Sequence, residues 1–218
     1  TGEQLIRIRN QTDPILVASY SPDASVVVTG TQSGMIQFWS TSDGKCMRQS
    51  VAHSMKVTVL NFSTSGAYIV SGSADATGKV WDTKTGRLLV VLRDHYSPLV
   101  SAEFSADEQN IVTAASEDVS ARLWDAKSGV RLSRLEGHVS PLKWATFSPD
   151  GQRIATMGLD HTVRLWHGRS GAWLVTYRGH HADVRFARFA PDSQKLATMG
   201  GDGMVQLWRE QIGSSISL

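Results

Sequence analysis

The sequence predicts an all-β fold in which one four-stranded antiparallel unit is repeated five times. Two residue types keep a common period: five tryptophans are separated by 42, 43, 42 and 42 residues, and four histidines by 42, 43 and 42. Self-similarity at such a period is the signature of a repeat architecture. The residues that set the period are Trp39, Trp81, Trp124, Trp166 and Trp208, and His53, His95, His138 and His180.

Residues 138–179 show one unit from end to end. Alternating apolar runs lead into Phe147, surround Ile154, end at Trp166 and reach Tyr177, and turn signals rich in Pro, Asp and Gly separate them. Runs of this length between such turns predict short strands, and no stretch favours a helix. The unit is therefore predicted to be a meander of four antiparallel strands.

Two dipeptides recur beside the periodic residues. Trp81-Asp82 and Trp124-Asp125 share one motif, and Gly137-His138 and Gly179-His180 share the other. With these motifs the chain resembles the WD-repeat β-propeller family over essentially its whole length. The resemblance implies an all-β propeller of four-stranded antiparallel blades around a central channel. The departures are Trp39-Ser40, Trp166-His167, Trp208-Arg209, and Gln11 where a histidine is expected; they weaken single repeats but not the assignment.

The period divides the chain into five blades preceded by one strand. Residues 1–10 are expected to contain, at 4–9, the outer strand of a preceding or closing blade, because Gly2 and the apolar Leu5, Ile6 and Ile8 align with residues 129–135 at the end of a later repeat. In blade 1 the strands are predicted near 14–20, 25–30, 34–39 and 45–50. The predicted blades are 11–52, 53–94, 95–137, 138–179 and 180–218.

The two ends of the chain bear on how the ring closes. Rings of this family close when the N-terminal outer strand completes the last blade, which leaves no strand edge open to aggregation. Here an outer strand is expected at both ends, since the residues after Gly213 align with the start of one. A closed five-blade ring needs only one, so we expect a segment of a longer propeller. A compact five-blade ring with one end strand frayed or doubled is the alternative.

Each repeat offers a histidine, a hydroxyl, an aspartate and a tryptophan at matching positions. The resemblance implies that the imidazole links the carboxylate to the hydroxyl, and that the hydroxyl accepts from the indole. Such groups cost free energy when buried unless they satisfy one another, so we expect a structural role. A catalytic Ser/His/Asp triad is needed once and not in every blade. The predicted quartets are His53, Ser71, Asp75 and Trp81; His95, Thr113, Asp118 and Trp124; His138, Thr156, Asp160 and Trp166; and His180, Thr198, Asp202 and Trp208.

Blade 1 departs from this pattern. Its four positions hold Gln11, Thr29, Ser33 and Trp39, so it is expected to lack both the imidazole and the carboxylate. We therefore expect that removal of His138 destabilises the fold much more than removal of Gln11.

Several functional classes are disfavoured by the sequence. The net charge of +2 is too small to argue for nucleic acid. No apolar run approaches the roughly 18 residues of a membrane span. The one cysteine, Cys46, excludes an internal disulfide and fits a reducing compartment, so an intracellular, cytoplasmic location is expected.

Neither a metal nor a cofactor is expected. His161 and His167 lack the acidic or thiol partners of a tight ligand cluster. Residues 72–80, GSADATGKV, have one residue too many between their glycines for a phosphate-binding loop, and Val80 stands where Ser or Thr is required.

The narrow face of the ring is where propellers of this family usually hold partner peptides. The resemblance implies that residues three and five after each opening histidine line this rim. In blades 4 and 5 the surface combines cations with large aromatics, a composition enriched at hot spots, and favours an acidic or phosphorylated peptide. The alternative is that the aromatics pack between blades and the cations are only solvated. The candidate rim residues are Lys56, Lys143, Trp144, Arg185, Phe186 and Arg188.

Five structural repeats without a singular catalytic constellation predict a non-catalytic scaffold for protein–protein interaction. The expected partners are proteins or peptides, within a larger chain or a multiprotein complex, and neither a membrane nor nucleic acid. The alternative is a sensor or regulatory segment of a larger signalling protein, such as a nucleotide-switched ATPase or a kinase.

Overall fold

A computed structural model describes residues 2, 6–8 and 13–209 of the chain. These residues form nineteen β-strands in five sheets, one sheet for each blade. Blade 1 contains β1 (Ile15–Tyr20), β2 (Val26–Thr31), β3 (Met35–Ser40) and β4 (Cys46–Val51); blade 2 contains β5 (Val57–Phe62), β6 (Tyr68–Ser73), β7 (Thr77–Asp82) and β8 (Leu88–Arg93); blade 3 contains β9 (Leu99–Phe104), β10 (Asn110–Ala115), β11 (Ala121–Asp125) and β12 (Arg131–Leu135); blade 4 contains β13 (Leu142–Phe147), β14 (Arg153–Gly158), β15 (Thr162–His167) and β16 (Trp173–Arg178); blade 5 contains β17 (Val184–Phe189), β18 (Lys195–Gly200) and β19 (Val205–Arg209).

Strands that are consecutive in the chain are neighbours in every sheet. All pairings are antiparallel, and four of the five sheets have four strands. The predicted all-β fold of four-stranded antiparallel sheets is therefore confirmed. In blade 1 each strand begins one residue later than the turn signals predicted.

The tight turn between the third and fourth strands needs glycine. Gly44, Gly86, Gly129 and Gly171 occupy the same place in four repeats, with φ between 68° and 71°. Residues with a Cβ rarely adopt this left-handed conformation. A Cβ at Gly86, Gly129 or Gly171 would also meet the outer strand of the preceding blade, for example Arg48 at Gly86. The glycines thus allow each turn to pack closely against its neighbour.

Ile6 lies against Gly44 as Arg48 lies against Gly86. Ile6 therefore has the position, relative to blade 1, that a preceding outer strand would have. Of the outer strand predicted at residues 4–9, only residues 6–8 are described, and they are not part of a strand. The strand predicted after Gly213 lies outside the described residues.

The hydrophobic core lies between the blades. The innermost strands pack side by side in chain order, β1 on β5, β5 on β9, β9 on β13 and β13 on β17. Apolar clusters fill the gap between each consecutive pair of blades. Within residues 13–209, β17 makes no extended contact with β1, so ring closure is not observed. The part of the chain that the structure describes contains no α-helix that could span a membrane.

Candidate functional site

Blade 4 shows how the four repeated polar residues meet. His138 precedes β13, Thr156 lies in the middle of β14, and Trp166 lies on β15. The Trp166 indole N–H donates to the Thr156 Oγ1 at 2.8 Å, and that hydroxyl lies 2.9 Å from the His138 Nε2. The His138 Nδ1 lies 2.8 Å from a carboxylate oxygen of Asp160. A chain of hydrogen bonds therefore runs from the core to the loop between the blades.

The same geometry recurs in blades 2, 3 and 5. Each indole N–H donates to its hydroxyl at 2.8 Å. Each imidazole Nε2 lies 2.7 to 2.8 Å from that hydroxyl, and each Nδ1 lies 2.6 to 3.1 Å from the carboxylate. These sets are His53, Ser71, Asp75 and Trp81; His95, Thr113, Asp118 and Trp124; and His180, Thr198, Asp202 and Trp208. The structure brings together the residues of all four predicted sets.

The electrostatics favour a neutral imidazole in blades 2 and 3 and a charged carboxylate in blade 4. Burial lowers the pKa values of His53 and His95, although Asp75 and Asp118 oppose this effect. Burial alone would raise the pKa of Asp160, but hydrogen bonding and charge from His138, and hydrogen bonds from Thr162, hold it well below its usual range. A neutral ring can accept from the hydroxyl at Nε2 while it donates to the carboxylate at Nδ1.

The hydroxyls of the quartets are not accessible as nucleophiles. Ser71, Thr113 and Thr156 are 0% exposed, and Thr198 is 1% exposed. Each already accepts from an indole, so it has no open approach to a substrate. The arrangement suits the satisfaction of buried polar groups and not acyl transfer.

Blade 1 keeps the bond from the indole to the hydroxyl, and it has a carboxylate from a different position in the repeat. The Trp39 indole donates to the Thr29 hydroxyl at 2.8 Å. Ser33 holds the position of the quartet aspartate, and its backbone N–H donates to Asp13 at 3.0 Å. The carboxylate absent from position 33 is thus supplied from position 13. The sequence reasoning missed this because it compared only one position per repeat. Gln11 lies outside the described residues.

Blade 3 holds a buried ion network that the sequence analysis also missed. The guanidinium of Arg122 lies 2.6 Å from Asp94 at Nε and 3.1 Å from Asp118 at Nη2. Arg122 is 1% exposed, so these carboxylates must compensate the cost of burying its positive charge. The same strand position holds Lys79 in blade 2 and Arg164 in blade 4. A basic residue repeated at one core position was the available signal.

The predicted rim residues separate into two groups. Lys56, Lys143 and Arg185 are exposed at the start of the inner strands, beside the loops that carry the quartet histidines. Arg185 pairs with Asp183 at 3.1 Å. These three cations define the surface that we call the cation rim.

Trp144, Phe186 and Arg188 lie further along the inner strands and line a cavity of about 510 Å³. Trp144 is half-buried against the apolar cluster between blades 4 and 5, whereas Phe186 is 42% exposed. For Trp144 the structure therefore favours the alternative stated above, packing between blades. The cavity is also lined by Glu103, an acid that the sequence analysis did not single out.

Glu103 is half-buried on β9, where it faces blade 4. Burial raises the pKa of Glu103 to about 7, although hydrogen bonds from the Thr146 hydroxyl and the Phe147 N–H and the charge of Arg188 act in the opposite direction. One glutamate in an alternating strand gives no sequence signal of burial. Among the residues that the structure describes, no group of three or more His, Cys, Asp or Glu could hold a metal ion.

Comparison with protein families gives a match along most of the chain. The family described as WD domain, G-beta repeat matches residues 2–40, 44–82, 86–125, 129–167 and 171–209. Each matched segment ends one residue after a periodic tryptophan. The matches thus keep the period found in the sequence.

Curated proteins match over about half of the chain. The human WD repeat and SOCS box-containing protein 1 is 33% identical over 99 residues, 44% of this chain and 24% of that protein. The cattle pre-mRNA-processing factor 19 is 28% identical over 110 residues, 49% of this chain and 22% of that protein. The zebrafish apoptotic protease-activating factor 1 is 26% identical over 112 residues, 51% of this chain and 9% of that protein. The chain spans about a quarter or less of the length of these relatives.

Proposed function

The chain belongs to the WD40 repeat family, and on that premise we propose that it is a non-catalytic scaffold that docks an acidic or phosphorylated protein segment on the cation rim. WD40 repeat domains are typically protein-interaction scaffolds and usually non-catalytic. The acidic character of the partner is the more specific part of the proposal.

One observation carries the proposal. The most strongly recurring polar groups, the quartets, are turned inward and bonded to one another, whereas the cations of the rim are exposed. A partner can therefore reach fixed charges without disturbing what holds the blades together. Arg185 is 63% exposed at its side chain even though it pairs with Asp183.

Rigid support makes these charges useful for recognition. Lys143 and Arg185 occupy the same position in β13 and β17, two inner strands that pack on each other. Cations fixed on neighbouring strands can contact successive acidic groups of an extended segment without a large ordering cost. An arginine suits either kind of acidic group, because its guanidinium can donate two parallel hydrogen bonds to a carboxylate or to a phosphate.

The test is the binding of a fluorescein-labelled octaglutamate peptide, measured by fluorescence anisotropy at low salt. Reversal of both charges, Lys143→Glu with Arg185→Glu, is expected to weaken binding about tenfold, a change of about 1.4 kcal/mol. The melting temperature should not change, since both side chains are exposed.

Lys127→Glu is the matched control. Lys127 is exposed on the turn between the third and fourth strands, at the opposite end of β11 from the quartet loop. It changes the net charge without touching the rim. Equal weakening by the control variant, or no weakening by the double variant, would show that the rim is not the docking site.

The second candidate function is a sensor or regulatory segment of a larger signalling protein. The observation that favours it is the partial match to a protein named for activating a protease. The test is the gene sequence upstream of the codon for Thr1. A nucleotide-binding motif there supports this candidate, and a stop codon followed by a start codon directly before Thr1 excludes it.

A further inference from the structure

In blades 2 to 5, one residue of the third strand contacts one residue of the loop before the quartet histidine. The strand residue lies two positions before the periodic tryptophan, and the loop residue directly precedes the histidine. The four pairs are Lys79 with Ala52, Arg122 with Asp94, Arg164 with Gly137, and Gln206 with Gly179. The repeat therefore contains four versions of one contact, which can be compared directly.

In blades 2 and 3 the cation on the third strand has its partners within the chain. The ammonium group of Lys79 donates to the backbone carbonyl of Ala52. The Nε of Arg122 donates to the carboxylate of Asp94 at 2.6 Å, and its Nη1 donates to the Ser120 carbonyl at 2.7 Å. In blade 3 the loop residue thus supplies the counter-charge that a buried guanidinium requires.

The corresponding cation of blade 4 lacks such a partner. The Nε of Arg164 is buried and has no hydrogen-bond partner among the residues that the structure describes. Gly137 holds the loop position that Asp94 holds in blade 3, and it has no side chain to accept a hydrogen bond. The Nη1 of Arg164 lies directly against Gly137. A polar group that is buried without a partner costs free energy, so Arg164 is poised to bind an acceptor.

Two acids in the loops beside Arg164 are engaged elsewhere. Both carboxylate oxygens of Asp160 accept hydrogen bonds from other groups of the quartet loop. Glu136 pairs with Arg134, at 3.3 Å between Oε1 and Nε. Within the described part of the chain, no ion pair joins Arg164 to an acid.

We propose that Arg164 and Gly137 form a binding subsite for a carboxylate group, supplied by an acidic side chain of a protein partner. Blade 3 provides the template, because a carboxylate at the equivalent place there accepts from the guanidinium Nε. A guanidinium can donate parallel hydrogen bonds to the two oxygens of such a group. Gly137 is exposed and Arg164 is half-buried, so a carboxylate can reach the site from solvent.

The subsite lies within the series of blades, with blade 3 before it and blade 5 after it. It is separate from the cation rim, because Arg164 belongs to a third strand and the rim cations belong to inner strands. The carboxylate site itself does not depend on the rim. Only the source of the carboxylate, an acidic protein segment, rests on the proposed function.

The first test follows the Nε–H resonance of Arg164 by NMR while sodium acetate replaces sodium chloride at constant ionic strength. The resonance is assigned by its loss in Arg164→Gln. It is expected to shift along a saturating curve. The Nε–H resonance of Arg122, which already donates to Asp94, should shift at least about fivefold less. Equal shifts of the two resonances, or a shift of Arg164 without saturation, overturn the proposal.

The second test compares melting temperatures in acetate and in chloride. Arg164→Gln and the matched control Lys79→Gln each remove one half-buried cation from the same repeat position, where blades 1 and 5 already have glutamine, so both variants should fold. Acetate is expected to raise the melting temperature of the unchanged chain and of Lys79→Gln by about 2 °C or more, because it binds the folded state. Arg164→Gln should lose at least about half of this rise. The same rise in all three chains, or no rise in any of them, contradicts the subsite.

The third test addresses the source of the carboxylate with the labelled octaglutamate peptide. Arg164→Gln is expected to weaken peptide binding about threefold, and Lys79→Gln should leave it unchanged. If acetate binds at Arg164 but both variants bind the peptide equally well, the site takes free carboxylates and the protein partner is wrong. Failure of the cation rim is recognised separately, because the Lys143→Glu, Arg185→Glu double variant retains Arg164 and its response to acetate.

Discussion

Blade 3 and blade 1 perform the same packing task with different polar chemistry. In blade 3 the quartet is complete and buried, and Asp118, at 0% exposure, also receives Arg122 and Ser97. In blade 1 the described residues keep the bond from Trp39 to Thr29, while Asp13, which is only half-buried, pairs with Ser33. The indole–hydroxyl bond is the constant feature, and the extent of the ion network follows the burial of the loop.

The largest effect is expected for Asp118→Ala. This change leaves His95, Ser97 and the buried Arg122 without their shared carboxylate. Removal of one partner from a buried ion pair typically costs about 3 to 5 kcal/mol. Urea titration of the variant measures the loss in the free energy of unfolding.

Asp13→Ala is the matched change in blade 1. Its pairing with Ser33 is near the surface, so a loss of about 1 kcal/mol or less is expected. Similar losses for the two variants would break the distinction between a buried and a solvated network.

The loss expected for His138→Ala is smaller than that for Asp118→Ala. Asp160 and Thr156 would lose a partner while the bond from Trp166 to Thr156 remains, which costs on the order of 1 to 3 kcal/mol. Gln11→Ala should cost much less, because blade 1 has no imidazole at this position to lose. If urea titration gives equal losses for the two variants, the quartet does not stabilise the blade as described.

Blades 3 and 1 also differ in how they affect the pH dependence of stability, because only blade 3 has a titratable residue at one position of its inner strand. Glu103, on the inner strand of blade 3, has a pKa raised by burial to about 7 from 4.5. Its counterpart on β1 is Ser19, which does not titrate. Between those pH values the folded chain binds more protons than the unfolded chain, so stability falls as pH rises through the window.

Glu103→Gln should remove this fall. Relative to the unchanged chain, the variant is expected to gain about 1 to 3 kcal/mol between pH 4.5 and pH 8. Burial lowers the pKa values of His53 and His95, so in both chains stability falls as pH drops below about 6.5. Urea midpoints at pH 4.5, 6 and 8 measure both trends. A difference between the two chains that does not change with pH would contradict the buried state of Glu103.

Most of the fold could be predicted because it follows from local signals repeated five times. Turn residues and alternating apolar runs place each strand of blade 1 within one residue of its observed start. The quartet members could be paired because one spacing holds in four repeats. In each case the sequence contains several independent copies of the same physical requirement.

The burial of individual side chains could not be predicted, because it depends on which blade lies next to each residue. Trp144 and Phe186 are equivalent in the repeat, yet one packs on blade 5 and the other is exposed. Neither residue's burial can be derived from its own repeat. Asp13 and Glu103 escaped for a related reason, because a single residue without a repeated counterpart gives no periodic signal.

Exchange of the indole N–H protons with solvent, measured by NMR, tests the repeated quartet most directly. Trp81, Trp124 and Trp166 are at most 3% exposed and donate to buried hydroxyls, whereas Trp173 is 58% exposed and donates at 3.2 Å to Thr176. We expect the first three protons to exchange at least about a hundredfold more slowly than that of Trp173. Exchange of the Trp124 proton at the rate of the Trp173 proton would contradict the account.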